Sequence, residues 1–336
     1  MSRHLISSSL ICRCSAILVV AGSFFCCAQT PTDLQIDVGN FVLYNYDTFD
    51  TSQFGTNPNP TNIMMKTYNF HIAIGDITTV GGAPAMGALL CRTMPMFVLS
   101  PTPARGTQAI ADTTRSMTDD CSLEIMTSSG RPVGTIYYSG LYGGPPPPGA
   151  PSASTRSNMI VTGGTGAFYG VRGQAGQISW MPRVASVTED PANRRLNGGG
   201  TQSVVLQLLP MFRPQVVMTT NGPAIVHSSD YSLVTTAKPA KAGEILVLFA
   251  NGLGPTNPGV EFGKPFPAGS AQTVNSPVTL TVNGSPAQLL YAGGYPGAID
   301  AYQVNFQVPS GLGAGNGTLR LIAGFIMGDS ATIALQ

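Results

Sequence analysis

The chain has 336 residues, of which 10% are charged, with 17 Lys and Arg balancing 16 Asp and Glu. A near-neutral chain without basic runs lacks the clustered cations that neutralise phosphates, which excludes a nucleic-acid partner. With 40 glycines and 27 prolines it favours short strands and turns over long helices, and its length suffices for two cores.

The first element is residues 1–28. Arg3 and His4 make a polar start, residues 17–25 an apolar run, and Cys26-Cys27-Ala28 a small-residue cleavage site. This pattern predicts a signal peptide cut after Ala28 and hence a secreted or extracytoplasmic chain. The alternative, an uncleaved anchor, asks a short run to span a bilayer, and no later segment approaches a membrane span. Cys12, Cys14, Cys26 and Cys27 leave with the signal, so that Cys91 and Cys121 remain. In an oxidising compartment the pair reads most simply as one disulfide, and two buried free thiols are the alternative.

Alternation with a period of two dominates the next stretch. Residues 40–46 form a first short strand; in residues 67–75, Tyr68, Phe70, Ile72 and Ile74 share one face, as a half-buried strand requires. His71 falls on the opposite, polar face, where a surface or interface role is expected rather than a catalytic base. Residues 108–114 fit a turn of helix. Further strands fit residues 123–126, 134–138, 158–162, 174–180 and 203–209. Between them, residues 139–157 carry Pro145-Pro-Pro-Pro148, which cannot join a sheet ladder and is expected over a barrel mouth or disordered. Residues 185–200 concentrate Glu189, Asp190, Arg194 and Arg195, and read as a solvated loop.

A second block begins near Arg213-Pro214. Asn283-Gly284, between the alternating runs 278–282 and 287–291, predicts a type I′ hairpin, since both residues tolerate positive φ. Strands also fit residues 244–250, 302–308, 318–323 and 331–335. Tyr302, Val304, Phe306 and Val308 face one way, and Pro309 ends the pairing by removing a donor. So many short strands in so little chain read as an antiparallel sandwich.

The run Val161-Thr-Gly-Gly-Thr-Gly-Ala-Phe-Tyr-Gly170 admits two incompatible readings. A dinucleotide site needs a helix after the glycines to face the phosphate. Here Gly173 and Gly176 follow, each costing about 1 kcal/mol inside a helix. The expected structure is therefore a turn between strands, with Gly163, Gly164 and Gly166 supplying positive φ, Phe168 re-entering the wall and Arg172 pairing with a carboxylate or backbone carbonyls.

The same run, with Leu90-Cys91-Arg92, Asp120-Cys121-Ser-Leu-Glu-Ile125, Ser129-Gly130, Gly134-Thr135-Ile136 and Ile160 through Gly173, resembles the allene oxide cyclase and dirigent-like barrel family across residues 68–209. That resemblance implies an eight-stranded antiparallel β-barrel whose lumen or mouth holds a small apolar molecule. Relatives cyclise an epoxide or orient radicals for coupling, and form oligomers through the barrel. This chain departs from them in its long proline loop and its appended block. On this reading Tyr68, Phe70, Ile72 and Tyr137 are the candidate ligand-binding residues. From residue 223 onward, Pro223-Ala-Ile225, Ala242-Gly-Glu-Ile245, Gly252-Leu-Gly-Pro255, the hairpin and Tyr302-Gln-Val-Asn-Phe-Gln-Val-Pro309 are similar to a carboxy-terminal domain of exported acidobacterial, Solibacter-type proteins. This second resemblance implies an immunoglobulin-like sandwich with an adhesive, surface-retaining or spacing role.

No catalytic, metal or cofactor set is legible. His227-Ser-Ser-Asp230 has the letters of a triad, but residues so close in sequence rarely adopt its geometry, and no nucleophile elbow exists. Asp119-Asp120 lacks the alternating oxygens of a calcium loop. The expectation is an all-β protein: a signal at 1–28, a barrel at 29–212 and an immunoglobulin-like β-sandwich at 213–336. Its expected role is a non-catalytic small-molecule-binding or extracellular interaction module, with cell-surface partners met through the second block. The alternatives are a cyclase or isomerase acting in the barrel cavity, and a structural or adhesive surface protein. A buried lumenal carboxylate with a raised pKa favours the enzyme; a lumen filled with side chains leaves the structural role.

Overall fold

The structure, a computed structural model, describes residues 31–45, 71–95, 117–142, 151, 157–186, 188–210, 213–261 and 263–336. Residues 1–28, expected as a signal, Tyr68, Phe70, residues 108–114 and the 145–148 prolines lie outside the described residues. No described helix is long and apolar enough to cross a membrane.

Nine strands build the amino-terminal sheet: β1 (Thr32–Asn45), β2 (His71–Val80), β3 (Ala83–Pro95), β4 (Met117–Thr127), β5 (Pro132–Tyr142), β6 (Ser157–Gly164), β7 (Arg172–Met181), β8 (Arg183–Ser186) and β9 (Gly200–Leu209). Eight of them pair antiparallel in the order β2-β3-β4-β5-β6-β7-β9-β1. Pairing of β1 with β2 then closes the barrel, with Ile36 opposite Val80 and Tyr44 opposite Ile72. Alternate residues point inward, and hydrocarbon fills the lower lumen: Leu34 and Ile36 of β1, Leu123 and Ile125 of β4, Leu206 and Leu208 of β9. An eight-stranded barrel is narrow enough for such side chains to fill it.

β1 changes parity along its length. Leu34, Ile36 and Val38 are buried in the lumen; a register shift between Gly39 and Val42, with Asn40 at φ 45°, then turns Phe41 inward. A bulge does this by adding one residue against an unchanged partner strand. Val42 and Tyr44 consequently face outward, where Ala185 of β8 covers them. β8 runs parallel to β1 there, from Val42 opposite Arg183 to Asn45 opposite Ser186.

Residues 183–199 are thus a strap across the barrel wall, and the expected solvated loop is corrected by its ion pairs. Arg183 donates from both terminal nitrogens to Glu189, at 2.9 and 2.6 Å. Asp76 of β2 accepts hydrogen bonds from Arg194, from Arg195 at 2.8 Å and from Asn40 at 2.9 Å. Burial alone pushes the Asp76 carboxyl up, but those hydrogen bonds outweigh it and hold the group at about 2. Glu189 and Arg194 are thus part-buried anchors, whereas Asp190 and most of Arg195 face solvent as expected.

The glycine run closes the lower end. β6 stops at Gly164, and Gly166–Phe168 form a single 3-10 turn. Of the three expected turn glycines only Gly166 has positive φ, at 61°, and a methyl there would strike the Val133 carbonyl. Gly164 is required by close approach of the Phe168 and Thr135 carbonyls, whereas Gly163 stands at a bulge opposite Tyr137 with no such demand. Phe168 does not re-enter the wall; it points into the lumen and plugs it. Arg172 donates to the Val171 carbonyl at 2.9 Å.

Beyond residue 213 two larger sheets share one core. Ile245–Asn251, Tyr302–Gln307 and Gln288–Gly294 are the middle of a seven-stranded sheet; Val278–Val282, Gly315–Ala323 and Ile326–Leu335 belong to a four-stranded one. Leu246, Val304 and Phe306 from the first pack with Leu280, Leu321 and Ile333 from the second, as in a sandwich. Asn283 and Gly284 take φ of 50° and 80°, as a type I′ turn requires. The hairpin behind that turn is shorter than expected. Only Ser285–Pro286 pairs with Val278–Val282, and the chain then crosses to place Gln288–Gly294 beside Tyr302–Gln307.

Candidate functional site

Inward positions change chemistry toward the upper end of the barrel. Going up β4, the buried residues are Leu123, Cys121 and then Asp119; going up β3 they are Leu89, Cys91 and then Thr93. On β2 the series is Ala73 and then His71, and on β9 it is Val204 and then Gln202. β7 contributes Gln177 and, past a bulge between Gln177 and Ser179, Trp180. Period-two positions on five strands thus gather polar side chains at one level of the lumen. With Phe41 and Leu43 of β1 they enclose a cavity of about 310 Å³.

The Cys91–Cys121 disulfide crosses from β3 to β4 below Asp119. Its two cysteines are directly opposed in the antiparallel register, and the Tyr138 hydroxyl lies 3.8 Å from the Cys91 sulfur. The expected pairing of these cysteines is present. Burial pushes the Tyr138 phenol up strongly, and the neighbouring Asp119 charge adds to that.

Asp119 is 6% exposed, and burial pushes its carboxyl from 3.8 up to about 6. A hydrogen bond from Thr93 opposes that rise, and the charge of Asp120 reinforces it. Among the described residues its Oδ1 has no hydrogen-bond partner. Gln202 is 1% exposed, yet neither its amide nitrogen nor its amide oxygen has a partner. On β2, beside Thr93, His71 Nδ1 also has no partner among the described residues, and burial lowers the imidazole below its usual 6.5, keeping it neutral at neutral pH. An unmade buried hydrogen bond costs about 1–3 kcal/mol, and folded proteins pair nearly all such groups. Four atoms around one cavity thus lack a partner among the described residues. Trp180 stands at the rim, 43% exposed, and is the single tryptophan of the chain.

His71 therefore lies inside the barrel, on the face opposite to the one its sequence pattern suggests. Ile72 and Tyr137 occupy outward positions and line a shallower groove on the outer wall with Leu90 and Thr162, where Tyr137 is 46% exposed. They do not meet the lumenal cavity, and Tyr68 and Phe70 lie outside the described residues. Sequence reasoning missed Asp119, Gln177 and Gln202. The signal was present: Asp119 is the polar end of an alternating series through Cys121, Leu123 and Ile125.

In the second block, His227 hydrogen-bonds Glu244 at 2.6 Å and the Lys238 carbonyl at 3.2 Å, while Asp230 pairs with Lys238 and Ser232. His227 and Asp230 are therefore held apart by separate partners and form no triad. Among the described residues no three His, Cys, Asp or Glu side chains cluster as a metal site. No protein-family model matches the chain, and no curated protein matches it in sequence.

Proposed function

We propose that the upper barrel is a binding site for a small molecule with an apolar body and a few polar groups. The observation that carries this reading is the set of unpartnered atoms on Asp119, His71 and Gln202 around one cavity of about 310 Å³. Phe41, Leu43, Ala73 and Trp180 supply apolar wall, and the polar groups fix orientation, as small-molecule sites generally do. The filled lower lumen leaves only the upper half for a ligand and argues for a compact one. Export through the amino-terminal signal belongs to the same proposal, and a disulfide in the cavity wall is consistent with an oxidising compartment. The carboxy-terminal sheets, read as an immunoglobulin-like sandwich, would then hold the binding barrel at a surface or present it to a partner.

The test is native mass spectrometry of the protein purified from its producing cells. A retained small molecule that leaves on denaturation, and whose return quenches Trp180 emission, supports the reading. A bare protein whose Trp180 emission no cell extract alters overturns it.

A second reading, a cyclase or isomerase, is favoured by the Asp119 carboxyl itself. A buried acid held at about 6 both carries and releases a proton near neutral pH. If turnover of the retained molecule is found, Asp119→Asn should abolish it while binding persists; unchanged turnover would remove the enzyme reading.

A further inference from the structure

We infer that the cavity selects ligands carrying a protonated amine, with Asp119 as the counter-ion. This rests on the upper barrel being a small-molecule site. Among the described residues that line the cavity there is one carboxyl group and no Lys or Arg. An anionic ligand would therefore meet Asp119 with no cation to receive it. A neutral ligand satisfies the unpaired Oδ1 with a single donor. An ammonium does the same and also gains charge attraction, which low local dielectric strengthens. The remaining wall suits the body of such a ligand: Trp180 and Phe41 offer aromatic surface to a cation and its hydrocarbon, and Gln202 has an unused donor and an unused acceptor.

The proton balance is simple. The amine arrives protonated and pairs with an Asp119 that is already ionised above about pH 6; below that, Asp119 must first give its carboxyl proton to solvent before the ion pair forms. Among the described residues, the ionisable groups near Asp119 are His71, two strands away beyond Thr93, Tyr138 beside it on β5, and Asp120, which points outward with its carboxylate 3.9 Å from Arg92. Burial moves Asp119 upward to about 6 and His71 downward from its usual value.

Three matched probes test the inference on the full chain: 3-phenylpropylamine, 3-phenylpropan-1-ol and 3-phenylpropanoate, each titrated against Trp180 emission. At about pH 7.5 the amine should bind at least about tenfold more tightly than the alcohol, and the carboxylate most weakly. The preference should shrink to within about twofold near pH 5, where Asp119 holds its proton. In Asp119→Asn it should be absent at both pH values, and in His71→Gln it should keep its pH dependence. A thermal melt of each variant confirms that it is folded. Equal or tighter binding of the alcohol overturns the amine inference and leaves the binding site standing. If none of the three alters Trp180 emission at millimolar concentration, both readings fall.

Discussion

Asp119 occupies an inward position that Leu123 and Ile125 fill lower on the same strand, and the fold holds it by burial at about 6 instead of 3.8. The sign of the consequence follows directly. The folded chain keeps a proton that the unfolded chain gives up, so this contribution is complete below 3.8 and is lost as pH rises through about 6. The change corresponds to about 3 kcal/mol. Asp119→Asn should therefore stabilise the protein by about 3 kcal/mol near pH 7.5 and by almost nothing near pH 4, measured by denaturant unfolding at both values. An equal effect at the two pH values would show that the carboxyl is not desolvated as described. Such a cost, retained at a cavity wall, is the usual mark of a site kept for use. In sequence the same residue is one of two adjacent aspartates, and the alternation through Cys121, Leu123 and Ile125 is the local signal for which of them turns inward.

The elements that frame the barrel differ in how they are held. At the lower end Phe168 is buried by packing, and Phe168→Ala should cost about 3–5 kcal/mol in denaturant midpoint with little change in Trp180 probe binding. The strap at residues 183–199 is held by charge. Because Asp76 is depressed to about 2, its contribution is present above 3.8 and is lost as pH falls through about 2. Asp76→Asn should accelerate amide exchange in residues 188–199 at neutral pH while the barrel strands stay protected, and the wild type should do so only below about pH 3. The glycine run was legible as a turn because Gly173 and Gly176 bar a following helix. Its plug was not, because only the closed barrel brings Phe168 over the lumen. The strap's charges were visible too, but Asp76 lies more than a hundred residues from its arginines.

The barrel and the carboxy-terminal sheets form one compact unit from Pro31 to Gln336. Ile326 belongs to the barrel's own apolar cluster, and Phe325 and Ala167 pack against it. Asn275 donates to the Pro132 carbonyl, and Arg213 bridges Thr32 at 3.2 Å and Asp329 at 3.7 Å. The second block thus packs against the lower end of the barrel, opposite to the level of Asp119 and His71. Barrel and sheets should accordingly unfold in a single transition, with Trp180 emission and far-ultraviolet dichroism coinciding. Ile326→Ala should lower the unfolding free energy of that shared transition by about 2–5 kcal/mol. Reduction of Cys91–Cys121, which closes a loop of 30 residues, should lower it by about 3–4 kcal/mol and add two hydrogens to the intact mass.

By itself the sequence determined that this is an all-β chain with a turn at its glycine run and a type I′ turn at Asn283-Gly284. Each of these rests on period-two alternation or on local backbone chemistry, which need only neighbours along the chain. Tertiary structure alone decided which face of β2 looks inward, that β1 changes parity at Asn40, and that Asp119, His71 and Gln202 meet. The face a strand buries depends on its register against partners far away in sequence, and a single bulge inverts it.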